Sequence, residues 1–267
     1  MELSDAPQGG PDTAVRVDRR GSLLLATLDQ PAAGNTLNAA LIGGLHAALD
    51  RLEVDQGLRA LAIRGRDGVF CDGMDFAEAT TTQVVDMAAL RDRIRPFWQL
   101  LARFGAVPKT VVAVVDGRVN AGGVGLAAAC DIVVATPRSG FLLSELMFGL
   151  VPATIAPFLI RRIGWQAAWR MTLTAQRIDA GEARAIGLVD DVAGDPDDAL
   201  RRLMIRLDRM PAAGVAAGKA YFQSLVPLDA EAERRALDAI CARIADPEVM
   251  AGIRRFIEGE GVPWRRS

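Results

Sequence analysis

Cysteine, histidine and lysine are all scarce in this chain of 267 residues. The three cysteines, Cys71, Cys130 and Cys241, are an odd number at distant spacings and include no CxxC pair. Neither a disulfide framework nor a zinc site is therefore predicted, and a reducing, cytoplasmic location is expected. Of the 31 basic residues only Lys109 and Lys219 are lysine, a bias that indicates a GC-rich bacterial genome rather than a mechanism.

The single histidine, His46, lies in a segment predicted to be helical, with Asp50 one turn later. This spacing is typical of a surface or capped pair. A Ser/His/Asp triad would have to use His46, and no GxSxG motif accompanies it. The sequence therefore argues against a hydrolase of that type.

Long apolar runs and an excess of one charge are also missing. No uncharged stretch approaches the roughly 20 residues that span a bilayer, and the N-terminal segment lacks the basic start and apolar core of a signal peptide. The formal net charge of −2 provides no overall basic field. We therefore expect neither a membrane nor a nucleic acid to be a partner.

Hydrophobic residues, at 51%, are abundant enough to bury a sizeable core. Residues 1–13, which are rich in Gly, Pro and Asp, are expected to form a flexible leader. Strand and helix patterns then alternate through residues 14–195, beginning with strands near 14–18 and 22–28. From 196–267 the pattern is helical only, so we predict an α/β core followed by a C-terminal helical region.

The most informative stretch contains two apolar runs, 111–115 and 131–135, which favour buried strands. A short helix of small residues, from about Gly122 to Cys130, is predicted between them. At the start of a helix the first N–H groups have no partner within the helix. The N–H groups of Gly122 and Gly123 could therefore stabilise a developing negative charge, with help from the helix dipole.

A second segment, VFCDGMDF from Val69 to Phe76, follows a strand-like run at 59–64 and turns at Gly73. Its backbone could supply another N–H donor. Two donors that converge on one oxygen suit a thioester enolate, because removal of the proton beside the carbonyl loads charge onto that oxygen.

Gly123, Gly125 and Ala128 also match GxGxxA, with Glu145 about twenty residues further on, which imitates a dinucleotide-binding motif. In that fold the glycines follow a strand directly and begin a longer helix. Here DGRVNA is expected to intervene and the helix is short, so a nicotinamide dehydrogenase is not favoured.

Several segments together resemble the crotonase superfamily, also called the enoyl-CoA hydratase/isomerase family. They are TLDQPAAGNTLNAAL, VFCDGMDF, VNAGGVGLAAACDIVVA, FLLSELMFGLVP and the helical stretch 161–192. The resemblance implies an α/β fold with a crotonase-like ββα spiral core and a C-terminal helical region. It also implies a carbon–oxygen lyase that needs no metal or redox cofactor and assembles as a homotrimer or hexamer.

The same resemblance implies roles for individual residues. The N–H groups of Met74 and Gly122 would form the oxyanion hole, and Glu145 would be the catalytic acid and base. Family hydratases usually carry two glutamates, but Gly125 occupies the position of the first, which leaves one base for a syn elimination. Further residues beside these donors are candidates for substrate binding, although local turn bonding competes as the role of their side chains. They are Asp72, Gly73, Asp75, Asn120, Gly123 and Ser144.

Within the family, NAGGVG, SELMFGL, PFLIRRIG and the tail GVPW resemble the dehydratases of polyketide β-branching. These enzymes act on 3-hydroxy-3-methylglutaryl groups carried on the phosphopantetheine of an acyl carrier protein, which becomes the expected partner. Alternatives are a 3-methylglutaconyl decarboxylase, an isomerase or hydratase of acyl-CoA metabolism, and a non-catalytic docking subunit. The glutaryl group ends in a free carboxylate, distal to the thioester, that a cation would have to bind. Candidates for this cation are Arg91, Arg93, Arg95, Arg161 and Arg162.

Overall fold

The computed structural model describes residues 13–75 and 86–260. Most of the predicted leader, Phe76 of the VFCDGMDF segment and the GVPW tail lie outside these residues. No helix in the described ranges is long and apolar enough to cross a bilayer.

Within residues 13–75 and 86–260, ten strands form two sheets. In chain order the strands are β1 (Val15–Arg20), β2 (Leu23–Leu28), β3 (Ala60–Arg64), β4 (Val69–Cys71), β5 (Thr110–Val115), β6 (Arg118–Asn120), β7 (Ile132–Ala135), β8 (Gly140–Leu142), β9 (Ile178–Asp179) and β10 (Asp191–Val192). The larger sheet has the order β1-β2-β3-β5-β7-β10, and the smaller has the order β4-β6-β8-β9.

The helices cover and extend these sheets. They are α1 (Ala39–Val54), α2 (Met87–Ala106), α3 (Gly122–Ala129), α4 (Ala156–Thr174), α5 (Ala180–Ala185), α6 (Pro196–Leu207), α7 (Ala212–Leu225), α8 (Ala230–Ile244) and α9 (Pro247–Ile257). Two short 3₁₀ helices, Pro31–Ala33 and Glu145–Phe148, interrupt the loops. The last four helices follow one another without a strand.

Consecutive strands from β3 to β8 alternate between the sheets, so each step of the chain adds one strand to each layer. Helices complete these steps, as α3 does after β5 and β6. Such repetition produces the ββα spiral, and the predicted crotonase-like α/β fold is confirmed.

The central strands are buried on both faces, which explains why they read as continuous apolar runs. In β2, Leu24 and Leu28 face the main core between the two sheets. Leu23 and Leu25 point the other way, toward Leu200 of α6. This alternation follows from the two-residue period of a strand and fixes the larger sheet between two apolar layers.

DGRVNA was expected to separate the glycines from the strand before them, but it contains strand β6, which ends one residue before α3. The expectation that these glycines do not follow a strand directly is therefore wrong. The short helix is confirmed: α3 covers only eight residues. In addition, β6 belongs to a sheet of two- and three-residue strands rather than to a large doubly wound sheet.

Candidate active site

Three predicted site residues meet because three short strands run parallel. Strand β4 pairs with β6, and β6 pairs with β8, so their carboxyl ends lie at one edge of the smaller sheet. The chain reaches Met74 shortly after β4, Gly122 shortly after β6, and Glu145 shortly after β8. Segments that are distant in sequence thereby approach one another at this edge. Ligand-binding sites commonly lie at the carboxyl ends of parallel strands.

The two predicted donor loops are in direct contact. Gly73 has φ +90°, a conformation that favours glycine, and a Cβ on it would lie 3.1 Å from the Gly122 nitrogen. Ala121, immediately before α3, also has a positive φ of 47° and provides no side-chain cap. A strained residue at this position leaves the first turn of α3 open.

Within the described part of the chain, the N–H groups of Met74 and Gly122 donate to no protein acceptor. The neighbouring groups are bonded: Gly73 O accepts from Leu37 N at 2.8 Å, and Ala121 N donates to Leu142 O at 2.7 Å. The loops are therefore held in place while these two donors remain available to a ligand oxygen.

Glu145 begins the 3₁₀ helix after β8 and faces the same space. Its Oε2 atom is buried and has no hydrogen-bond partner among residues 13–75 and 86–260. Burial raises the pKa of Glu145 to about 7, although hydrogen bonds from the backbone of Glu145 and Ser144 oppose part of that rise. A carboxyl group with this pKa can both take and return a proton near neutral pH.

These groups line a cavity of about 450 Å³. Its wall is mainly apolar and includes Phe97 of α2, Phe148 and, from the C-terminal region, Ile240 and Ile244 of α8. These apolar residues were not among the predicted site residues. Their signal was the i, i+4 spacing of Ile240 and Ile244 in an amphipathic helix, which by itself indicates only a buried face.

Of the six residues predicted to bind substrate, Asp72, Asp75 and Ser144 line the cavity. The other three, Gly73, Asn120 and Gly123, are not part of the lining, although each is next to a lining residue in the chain. For Asp72, the competing explanation of local bonding agrees with its contacts. Its carboxylate accepts from Arg118 at 2.7 and 2.6 Å and from Asn120 Nδ2 at 2.8 Å, and so ties the ends of β4 and β6 together.

Gly125, at the position of the missing family glutamate, lies on the buried face of α3. Its backbone packs directly against the side chain of Ile155, which fills the space that a side chain at position 125 would occupy. The described cavity lining therefore presents Glu145 without a second glutamate.

The predicted pairing of His46 with Asp50 was wrong. His46 Nδ1 accepts from Arg103 at 3.0 Å, and Nε2 lies 3.1 Å from Pro96 O. Arg103 also binds Asp50, at 2.7 Å. Because arginine only donates, Nδ1 is the accepting nitrogen in the contact between His46 and Arg103. The ring forms part of the cavity wall, and the i, i+4 spacing alone could not reveal the interposed arginine.

An enzyme that passes through a thioester enolate needs a base and hydrogen-bond donors for the enolate oxygen. On this spiral α/β fold, the buried carboxylate and the two available backbone donors can supply them. Residues 18–267 match the sequence model of the Enoyl-CoA hydratase/isomerase family, and the chain belongs to that family. It is a crotonase-type hydratase or dehydratase, a carbon–oxygen lyase.

Among curated relatives, the bacillaene synthase dehydratase PksH of Bacillus subtilis is 35% identical over 94% of this chain and 96% of its own. The 2,3-dehydroadipyl-CoA hydratase of Escherichia coli is 37% identical over 66% of this chain and 68% of its own. The crystal structure of B. subtilis pksH superposes with a TM-score of 0.85 at 34% identity, covering 94% of this chain and 99% of that one. An enoyl-CoA hydratase from Mycobacterium avium has a TM-score of 0.84 at 32% identity, over 95% and 100% of the two chains.

Proposed function

We propose that this protein dehydrates a 3-hydroxy-3-methylglutaryl thioester to the 3-methylglutaconyl thioester in polyketide β-branching. The observation that carries the proposal is the buried Oε2 atom of Glu145, which lacks a protein partner in the described ranges and faces a cavity with no second glutamate. The relative named bacillaene synthase dehydratase supports the assignment to polyketide assembly.

In the proposed reaction the thioester oxygen accepts hydrogen bonds from the N–H groups of Met74 and Gly122. The ionised carboxylate of Glu145 removes a proton from C2, and the electron pair moves onto the thioester oxygen. As the enolate collapses, the bond between C3 and its hydroxyl oxygen breaks. Glu145 returns its proton to that oxygen, so water leaves and the carboxylate is restored.

A single residue serves as base and then as acid in this sequence, which requires the proton and the hydroxyl to leave from the same face of the substrate. A pKa near 7 favours both halves of the task, because neither protonation state is strongly disfavoured at neutral pH. Ordinary hydratases of the family divide the work between two glutamates. The space filled by Ile155 therefore supports a one-base dehydratase.

The test is mass spectrometry of acyl carrier protein loaded with 3-hydroxy-3-methylglutaryl, incubated with wild-type protein or with Glu145→Gln. We expect loss of water with the wild type and a much slower loss with the variant. Release of carbon dioxide from a 3-methylglutaconyl carrier would instead identify a decarboxylase. No change in either acyl group would support a docking subunit.

We further propose that the acyl group arrives on a carrier protein rather than on coenzyme A. The uncharged segment 31–40, which follows β2 and includes the start of α1, offers no basic residue for nucleotide phosphates. A carrier protein is acidic and would be attracted by surface arginines, so its advantage should shrink as salt screens charges over about 10 Å at 0.1 M. Comparing kcat/KM for both carriers at two ionic strengths tests this; equal use of coenzyme A at both would contradict it.

A further inference from the structure

The cavity wall carries an uneven set of charges. Its described acidic members outnumber its cations, since they comprise Asp72, Asp75, Asp92 and Glu145. Arg93 of α2 is the one arginine or lysine in the described lining, and it lies at the exposed rim. Asp72 is paired with Arg118 and Asp92 with Arg95, which reduces their repulsion of an anion. The terminal carboxylate of an acyl group nevertheless needs a cation that faces the cavity.

The other arginines considered from the sequence do not line this cavity, although Arg95 binds Asp92, which does. The pairs are Arg91 with Asp238 at 2.5 Å, Arg95 with Asp92 at 2.6 Å and Glu233 at 3.3 Å, Arg161 with Gln223 at 2.6 Å, and Arg162 with Cys130 O at 3.0 Å and Leu188 O at 2.8 Å. The choice among five arginines thus reduces to one by position.

Arg93 is also placed at a suitable distance from the reacting end of the cavity. It precedes Phe97 by four residues, so the two side chains share one face of α2. The Phe97 ring lies 3.6 Å from the Cβ position of Gly122, beside the proposed oxyanion donor. A rise of about 6 Å along the helix, slightly more than one turn, therefore separates Arg93 from the residue that contacts the donor loop.

We infer that Arg93 determines substrate specificity by binding the distal carboxylate of the acyl group. This inference rests on the proposed function, since it assigns a partner to the carboxylate of the glutaryl chain. A guanidinium can meet both oxygens of a carboxylate with two parallel hydrogen bonds. The proposed oxyanion donors would hold one end of the acyl chain while Arg93 holds the other, which places C2 beside Glu145.

The experiment compares two acyl groups of equal chain length on the same carrier: 3-hydroxy-3-methylglutaryl and 3-hydroxy-3-methylpentanoyl, which replaces the carboxylate by a methyl group. For Arg93→Ala we expect kcat/KM to fall about 10- to 100-fold with the carboxylate-bearing substrate, as for loss of a charged hydrogen bond, and to change little with the other. Arg93→Lys should recover part of the loss, because it keeps the charge but not the bidentate geometry.

Arg91→Ala is the matched control, because Arg91 is on the same helix but binds Asp238 away from the cavity. It should leave the ratio of the two kcat/KM values unchanged. Inhibition by glutaryl-pantetheine and pentanoyl-pantetheine provides a readout independent of turnover. We expect Arg93→Ala to weaken inhibition by glutaryl-pantetheine alone.

Four results would overturn the inference. Equal losses for both acyl groups would indicate a structural role for Arg93. A loss seen with carrier protein but absent with pantetheine thioesters would indicate a contact with the carrier protein. A wild type that dehydrates only the uncharged substrate would remove the role of Arg93 while leaving dehydration intact, whereas a wild type that dehydrates neither would also refute the proposed function.

Discussion

Gly125 and Ile155 are packed so closely that a Cβ on Gly125 would lie 2.1 Å from Ile155 Cγ2 and 2.5 Å from Ile155 Cβ. No real side chain can occupy such a space without displacing its neighbour. The obstructing atoms belong to the branched, rigid part of isoleucine, which is itself buried. Ile155 thus occupies the space that a glutamate side chain at position 125 would need.

Gly125→Ala is therefore expected to destabilise the protein by about 1–3 kcal/mol through overpacking. Ile155→Ala alone should also destabilise it, by about 2–5 kcal/mol, because it leaves a cavity. The double variant should be more stable than the sum of the two losses predicts. Thermal or denaturant unfolding of the four proteins measures this coupling.

The control for that series is Gly218→Ala. Gly218 lies within α7, has nothing within 4 Å of its Cβ position, and should gain up to about 1 kcal/mol from better helix propensity. Strict additivity of Gly125→Ala and Ile155→Ala would contradict the proposed relationship. We also expect Gly125→Glu to create no hydratase activity while Ile155 is present.

Glu145→Gln should lower kcat by about 10² to 10⁴, because the amide cannot accept and return a proton. The fold and the inhibition constant of a non-reactive thioester should be little changed, since the two side chains are nearly equal in size. Single-turnover measurements with the carrier-bound substrate would separate chemistry from binding. Near-normal turnover of the purified variant would eliminate Glu145 as the base.

The raised pKa of Glu145 also predicts a pH dependence of stability. Between the ordinary value of 4.5 and about 7, the folded protein keeps a proton on Glu145 that the unfolded chain has lost. This contribution to stability is complete below pH 4.5 and declines as the pH rises to about 7, with a total change of up to about 3 kcal/mol.

Glu145→Gln cannot titrate, so its free energy of unfolding should rise relative to that of the wild type as the pH increases through this window. Chemical denaturation of both proteins at several pH values between 4 and 8 measures the difference. In parallel, kcat/KM of the wild type should rise with pH around 7, because the base must be ionised. A stability difference that is constant with pH would show that the carboxyl group titrates normally.

Much of the fold was predictable because its long elements carry strong periodic signals. The five apolar residues at 111–115 indicated a buried strand, and the structure has β5 at Thr110–Val115. Strand β6 was missed because three residues are too few to show an alternating pattern, and only pairing with β4 and β8 defines it. Its position matters, since β6 delivers Gly122 to the site.

The location of the candidate site was predictable where a residue differs in chemical type from its sequence neighbours. Glu145 is an isolated carboxylate in an apolar segment, and Gly73 marks a turn. By contrast, the packing of Ile155 on α3 and the position of Arg93 in the cavity wall depend on which faces of α3 and α2 turn inward. Tertiary packing decides this. His46 shows the same limit, because its partner Arg103 comes from another helix.

The backbone and the side chain of Met74 are expected to have different roles. The side chain packs against an apolar cluster that includes Phe148 and Leu150, so it serves packing rather than charge stabilisation. Met74→Ala should therefore retain substantial activity. Met74→Pro removes the N–H group and should lose most activity, but it risks local misfolding.

Replacement of Met74 by its α-hydroxy acid analogue avoids that risk, because an ester oxygen takes the place of the N–H while the side chain is kept. We expect kcat to fall about 10² to 10³ in this variant, as when one oxyanion donor is removed elsewhere. Unfolding temperature and inhibition by a saturated thioester should change little. A folded ester variant as active as Met74→Ala would assign the oxyanion hole to other donors.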